Sequence, residues 1–578
     1  MRYFIKFLLV AFIICLSTGL QAQTKAEMLD ELLNKYNEYG IFNGSVLIAD
    51  KTGIILKKGY GYADFDNRIK NTTETQFRMG SITKQFVATI IMKLVEAGKI
   101  NLDDPLTKYI PEYRHDTGDR ITIHQLLNHT SGIHSYTNVP GWWQDSTKFR
   151  FTKDHMIKYA HSGDLEFEPG TQYNYNNTGY YLLGVIAEKV SGIPYEQLLK
   201  EWIFEPAGMT STGIEREENP PSNLAQGYVP QGMNFVKDEY FYMPNALGAG
   251  DVYSTVEDMY KWDRLLYGDE FVSKDAKKKM WHPYLEDYGY GWVIMNENAD
   301  EPGKDSSTIL WHTGGINGFN TMFARLVDED KTIILLNNTG PTSLNGITNN
   351  ILRVLDGEEP AKIKKPFVPE LERLFTEKGY DGAVEYVEQN ISTLKDDFSI
   401  NEGIINLTGY QTMLEEKNVQ KALAFFKINI DIFPQSANTY DSYAEALMNN
   451  GENEKAIENY KKSLELNPSN DNAVEMLKKL GVETGKTDDI TLSNEILSRY
   501  IGKYQLAPTF FIEITVEGTQ IFEQATGQQK FEIFPTSETD FYLKVVAARI
   551  VFDVDESGKV TGMTLYQGGN EVPGEKVE

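Results

Sequence analysis

The stretch Phe77-Arg78-Met79-Gly80-Ser81-Ile82-Thr83-Lys84-Gln85-Phe86 places a lysine three residues after a serine, at the head of an apolar run. If Ser81 opens a helix, Lys84 falls on the same face with Cβ atoms about 5–6 Å apart, so the ammonium can reach the hydroxyl. Phe86, Val87, Ile90, Ile91, Met92, Leu94 and Val95 recur at helical spacing and predict a helix with a wide buried face. Burial lowers the proton affinity of a lysine, which lets it accept a serine proton and activate a nucleophile. The same spacing recurs at Ser392 and Lys395, where no apolar helix follows, and that pair reads as solvated. Ser81 alone could equally cap a helix, so the motif needs companions.

The flanking chain supplies them. Before Ser81, Ser45–Ala49 and Ile54–Lys58 enclose the turn Asp50-Lys51-Thr52-Gly53 and predict a hairpin. A literal Lys51-Thr52-Gly53 lies in that turn, ahead of the serine. After Ser81, the run Ile121–Ile133 reads as a short helix ending at Gly132. Tyr173-Asn174-Tyr175-Asn176-Asn177-Thr178-Gly179 forms a polar turn opening into an apolar helix, Tyr180–Val190, and loop residues perched before a buried helix are well placed to face a cleft. Ala246–Ser254 precedes a helix over Val256–Leu266. Trp311-His312-Thr313-Gly314-Gly315 leads into two strand-like segments, Phe319–Leu326 and Thr332–Asn337.

In order along the chain, Ser81-x-x-Lys84, Tyr175-x-Asn177 and His312-Thr313-Gly314 resemble the three motifs of serine β-lactamases of class C type and their penicillin-binding, esterase and D-peptidase relatives. The resemblance extends through Gly59–Asp64, Leu127–Gly132, Glu168-Pro169-Gly170, Gly179–Gly184, Pro206–Met209 and Tyr288–Trp292, and covers roughly residues 30 to 355. It implies an α+β fold in which an antiparallel sheet, made from early and late parts of the chain, packs against a helical insertion. It also implies an acyl-enzyme on Ser81, with Lys84 and Tyr175 sharing the general base and acid work, which of the two takes the proton being left open. Asn177, His312, Thr313, Gly314 and Gly315 are the implied substrate-binding residues, with Asn177 bonded to Lys84 and the backbone N–H groups of Ser81 and Gly315 forming an oxyanion hole. His312 stands where the commoner form has lysine. A largely neutral histidine weakens any fixed attraction for a substrate carboxylate, which points away from efficient penicillin hydrolysis and toward esters or D-amino-acid amides.

Beyond this unit, 1–22 reads as a signal peptide: a basic start, the apolar run Phe7–Ile14 and a small-residue end at Ala22, too short to span a bilayer. The expected location is therefore exported, periplasmic or secreted. The chain's only cysteine, Cys15, lies inside that segment, so cleavage leaves neither disulfides nor thiol chemistry. The formal charge of −27 argues against nucleic acid and anionic membrane as partners. The expected divisions are the hydrolase domain at 23–357, a linker with capping helices at 358–400, repeats at 401–483 and a small antiparallel β domain at 496–578. Lys421-Ala422, Phe426 and Pro434 recur as Lys455-Ala456, Tyr460 and Pro468, a period that matches tetratricopeptide-like repeats. Such repeats serve as a spacer or as a groove for a protein partner. No metal or cofactor is expected, since His124, His129 and His134 lack a ligating helical spacing. The expected function is an exported serine hydrolase acting on a small ester or D-amino-acid peptide or amide. Alternatives are a true β-lactamase and an inactive scaffold that binds through the repeats.

Overall fold

The computed structural model describes residues 24–577, apart from 140, 161–162, 232–233, 298–306, 341, 483–489, 491, 508–509, 527, 529, 545, 547, 556 and 568–569. The expected signal segment lies outside the described residues. The chain divides into two units, residues 1–363 and 364–578.

In the first unit, the hairpin predicted from the Asp50–Gly53 turn is present as β1 (Gly44–Asp50) and β2 (Gly53–Tyr60). Asp50 caps its own turn by accepting the Thr52 N–H at 2.8 Å, so the Lys51-Thr52-Gly53 triplet is spent on a turn. Late in the unit come β3 (Val293–Glu297), β4 (Ser307–Ile316), β5 (Phe319–Leu326) and β6 (Lys331–Asn337). These six strands form one sheet in the order β3-β4-β5-β6-β1-β2, antiparallel throughout. β1 and β6 are central and buried along nearly their whole length because both faces are covered. One face receives α1 (Lys25–Glu38) and α5 (Asn345–Leu355), in a cluster built on Leu29, Leu33, Val46, Ile48, Leu335 and Ile351. The other receives the helical part of the unit, including α2 (Thr83–Glu96), α3 (Asn177–Ser191) and α4 (Val256–Leu265).

α2 is buried at eleven of its fourteen positions, far more than the one face expected from its sequence, because the sheet and other helices surround it. The helix expected to end at Gly132 instead covers only Ile123–Leu127. His129 takes a left-handed φ of 62° and Gly132 one of 71°, which turns the chain out of helix and into the site described below.

The second unit begins with α6 (Phe367–Asp397), bent at Gly379, followed by α7 (Glu402–Leu414), α8 (Val419–Ile432), α9 (Ala437–Asn449), α10 (Asn453–Leu466) and α11 (Asp471–Lys479). Ala422 and Phe426 on α8, and Ala456 and Tyr460 on α10, are buried at the matching positions of the sequence period. Residues 502–576 then form eight antiparallel strands, the small antiparallel β domain expected from the alternation, and these strands close into a barrel. Its interior is filled by Tyr504, Ile512, Ile514, Ile521, Ile533, Phe541, Ile550 and Met563, the inward half of an alternating pattern.

Candidate active site

Ser81 sits in a single 3₁₀ turn, Gly80–Ile82, that feeds directly into α2. Two sides clamp this turn. On one, the short strand Phe77–Arg78 pairs with Tyr253 and Ser254, and the Met79 N–H donates to Val252 O at 2.8 Å. On the other, Thr321 Oγ1 of β5 donates to Met79 O at 2.8 Å. The contact with β4 is so close that only glycine fits. A Cβ on Gly314 would lie 1.9 Å from Met79 O, and one on Gly80, at φ +53°, would lie 2.7 Å from the Gly315 nitrogen. The serine is thereby fixed beside the Gly314–Gly315 backbone.

Lys84 lies one turn on and is fully buried. Its Nζ is 3.0 Å from Ser81 Oγ, 2.8 Å from Asn177 Oδ1 and 2.8 Å from Ala249 O. The rings of Tyr175 and Tyr180 flank it at 4.9 and 5.5 Å. Burial pushes its pKa well below the ordinary lysine value. Asn177 is the first residue of α3, where the Asn176 side chain caps the helix by accepting the Gly179 N–H at 2.8 Å. The Asn177 amide is locked at its other end, Nδ2 donating to Thr137 Oγ1 at 3.0 Å.

The Tyr175 hydroxyl is buried and forms no hydrogen bond among the described residues. Burial raises its pKa above the ordinary phenol value, with the nearby Ser81 partly offsetting this. His312 is 4% exposed, its ring 6.2 Å from that of Tyr175. Nδ1 is 2.5 Å from the Thr313 carbonyl, which can only accept, so Nδ1 carries the hydrogen. Nε2 then accepts from the Tyr288 hydroxyl at 2.9 Å. Burial, reinforced by Lys84, pushes its pKa down to about 3, so the ring is neutral across the physiological range. Thr313 and Gly315 alternate with it along β4 and are exposed, presenting side chain and backbone at the strand's open face. Gly314 is buried in the junction with Met79. The structure thus joins Ser81, Lys84 and Asn177 by hydrogen bonds and sets Tyr175, His312 and Gly315 around them.

The family model described as Beta-lactamase matches residues 27–357, most of the unit that holds these residues and more than half of the chain. The chain belongs to the β-lactamase family. A second model, described as a domain of unknown function (DUF3471), matches residues 486–576 and so spans the barrel. Penicillin-binding protein 4* of Bacillus subtilis (strain 168) is 26% identical over 575 residues, 95% of this chain and 98% of its own length. The PbpX protein of the same organism is 32% identical over 330 residues, 57% of this chain and 78% of its own. Among solved structures, the D-amino acid amidase from Ochrobactrum anthropi SV3, complexed with L-phenylalanine amide, has 25% identity and a TM-score of 0.50, covering 57% of this chain and 97% of that one. The octameric penicillin-binding protein homologue from Pyrococcus abyssi has 20% identity and a TM-score of 0.52, covering 96% and 100%, and shares the fold. The comparisons agree with the site in making this β-lactamase-family chain a serine hydrolase.

Four participants at this β-lactamase-family site are not evident from the motifs. Ala249 contributes only a carbonyl, which carries no side-chain signal. Gly248, at φ +71° and with Tyr180 O where a Cβ would point, lets that loop reach Lys84. His129, which reads in sequence as an ordinary polar or capping histidine, packs its ring 4.3 Å from Tyr175 and 4.5 Å from Tyr288. Its Nδ1 accepts the Asn176 N–H at 3.1 Å, and burial keeps it neutral, so it braces the Tyr175–Asn177 turn from behind. Asp251 is fully buried two residues past Ala249; its Oδ1 accepts from the Gly248 N–H and the Tyr195 hydroxyl, both at 3.2 Å.

Proposed function

We propose that this chain is an exported serine hydrolase that acts through an acyl-enzyme on Ser81, cleaving a small ester or a D-amino-acid amide. One observation carries the reading: a fully buried Lys84 amine 3.0 Å from Ser81 Oγ, its other hydrogen-bond partners being two carbonyl oxygens. In its neutral form the amine has two N–H groups, matched by Asn177 Oδ1 and Ala249 O, and a lone pair left for the serine proton. Ser81 Oγ attacks the substrate carbonyl carbon as its proton passes to Lys84, and the carbonyl π electrons move onto oxygen, where the Ser81 and Gly315 N–H groups receive the charge. Tyr175, kept as a phenol by burial, suits the role of acid rather than base. It donates its proton to the leaving alkoxide or amine as the tetrahedral intermediate collapses, and recovers one from the Lys84 ammonium. In deacylation, water gives its proton to Lys84 as it attacks, and Ser81 Oγ leaves and is reprotonated.

The neutral, buried His312 supports a substrate without a carboxylate at that end, since no fixed cation stands in the third motif. The likeness to a D-amino acid amidase supports the amide form of the reading. Export rests on the pattern of residues 1–22. Intact-mass analysis after exposure to a fluorophosphonate, and separately to a penicillin, tests the site. The expected result is a fluorophosphonate adduct that vanishes in Ser81→Ala. A penicillin adduct that turns over rapidly would replace the proposed substrate with a β-lactam. No adduct from either reagent, on folded protein, would remove the enzyme reading.

A further inference from the structure

Within the second unit, a cavity of about 440 Å³ lies between the helices and the barrel, in the size range of small-ligand pockets. Its helix side carries two carboxylates. Glu402, the first residue of α7, is 8% exposed, and its Oε1 accepts from Ser436 Oγ at 2.9 Å and Asn438 Nδ2 at 3.1 Å. Oε2 is buried and accepts no hydrogen bond among the described residues. Asp441, on α9, accepts from Asn470 Nδ2 at 2.9 Å and Asn472 Nδ2 at 2.8 Å. The partners of both acids are thus hydroxyl and amide groups, and no lysine or arginine pairs with either among the described residues. Burial, aided by Glu445, raises the Asp441 pKa.

The barrel side of the same cavity has the opposite sign. Arg549 and Tyr566 line it from the neighbouring strands Ala548–Val554 and Val560–Gln567, where they stand directly opposite each other. Ala548, Ile550 and Phe552 fill the barrel interior, so alternation turns Arg549 outward. Its guanidinium lies 5.4 Å from the centre of the Tyr566 ring. Asp540 accepts from Nε at 2.8 Å and from Nη2 at 2.6 Å, which leaves Nη1 without a hydrogen bond among the described residues. One wall therefore offers a buried acceptor that lacks a donor, and the other a donor that lacks an acceptor. A buried acceptor left unmatched destabilises a fold, so its retention calls for a donor from outside the chain.

We infer that this cavity binds a small zwitterion, a free amino acid or dipeptide, with its ammonium at Glu402 and Asp441 and its carboxylate at Arg549. A primary ammonium supplies the N–H that Glu402 Oε2 lacks, and a carboxylate accepts the spare N–H of the guanidinium. Both contacts join opposite charges, which strengthens each relative to a neutral hydrogen bond. Every residue invoked belongs to the second unit, so the inference stands apart from the reading of Ser81.

The test is equilibrium dialysis of the full chain against isotope-labelled glycylglycine, N-acetylglycylglycine and glycylglycinamide, the last two each lacking one of the charges. Glycylglycine binds saturably, and either modification weakens it about tenfold. Glu402→Gln weakens glycylglycine by the same order. Arg549→Gln does so too but leaves the affinity for glycylglycinamide unchanged, an outcome that a general loss of structure would not give. Should Glu402→Gln fail to fold, Arg549→Gln and the two modified dipeptides still decide. Equal affinity for N-acetylglycylglycine overturns the inference, and so does binding that survives both variants, which would lie elsewhere on the chain. No saturable binding of glycylglycine to folded protein overturns it as well, whatever the reactivity of Ser81.

Discussion

Around Lys84 the protein has removed water and supplied carbonyl oxygens in place of a carboxylate, which is how one nitrogen can be both well held and weakly basic. Asp251, close by in sequence to Ala249, shows what the same burial does to an acid. Its pKa rises from 3.8 to about 6, with burial as the main cause. The neutral form is favoured in the fold, so the stability that Asp251 contributes is complete below about pH 3.8 and is lost as pH rises through 6. The shift caps that loss at about 3 kcal/mol. Asp251→Asn keeps an acceptor for the Gly248 N–H and the Tyr195 hydroxyl and cannot ionise. We predict that melting temperatures measured at pH 4.5 and 7.5 differ less in this variant than in the unaltered chain; equal differences in the two would mean that Asp251 is not the group responsible.

Among elements, the junction between the Ser81 turn and β4 has little tolerance. Gly80→Ala would force a Cβ against the Gly315 nitrogen at a φ that alanine resists, so the turn must retreat from the strand. Because the serine and the Gly315 backbone must face the same carbonyl, a displacement near 1 Å costs about a hundredfold in rate. The prediction is a drop of that order in the rate of fluorophosphonate labelling with the far-ultraviolet circular dichroism spectrum retained; full labelling speed would show that the turn can move without consequence. The strands around this junction were legible from alternation and turn residues, and α2 from its apolar period, because those signals are local. Ala249 O and the packing of His129 were not legible. They depend on loops brought together from positions 129, 175 and 249, and a backbone carbonyl leaves no trace in the residue type. The end of the helix at Leu127 was missed for a related reason: His129 is held in a left-handed conformation by the site it braces, against its local preference.

At the scale of the molecule, each hydrophobic cluster lies wholly within residues 24–363 or wholly within 364–577. Every described residue of the candidate active site belongs to the first. A chain ending at Ile363 should therefore melt as one cooperative transition and label at Ser81 as the full chain does. A fragment that is soluble only in complex with residues 364–578 would show that the second unit completes the first. The sheet of the first unit has a further consequence, for how the chain comes to be folded. Its central pairing joins residue 44 to residue 337 and residue 49 to residue 332. β1 can pair at once with β2 across the hairpin, but its partner on the other side follows roughly 290 residues later, so through that stretch of synthesis one edge of an apolar strand stays unpaired. Closure of the sheet is a late event that locks the early strands of this unit to its late ones. Until then the polypeptide remains threadable, and a holding chaperone has an exposed segment, Val46-Leu47-Ile48-Ala49, to grip.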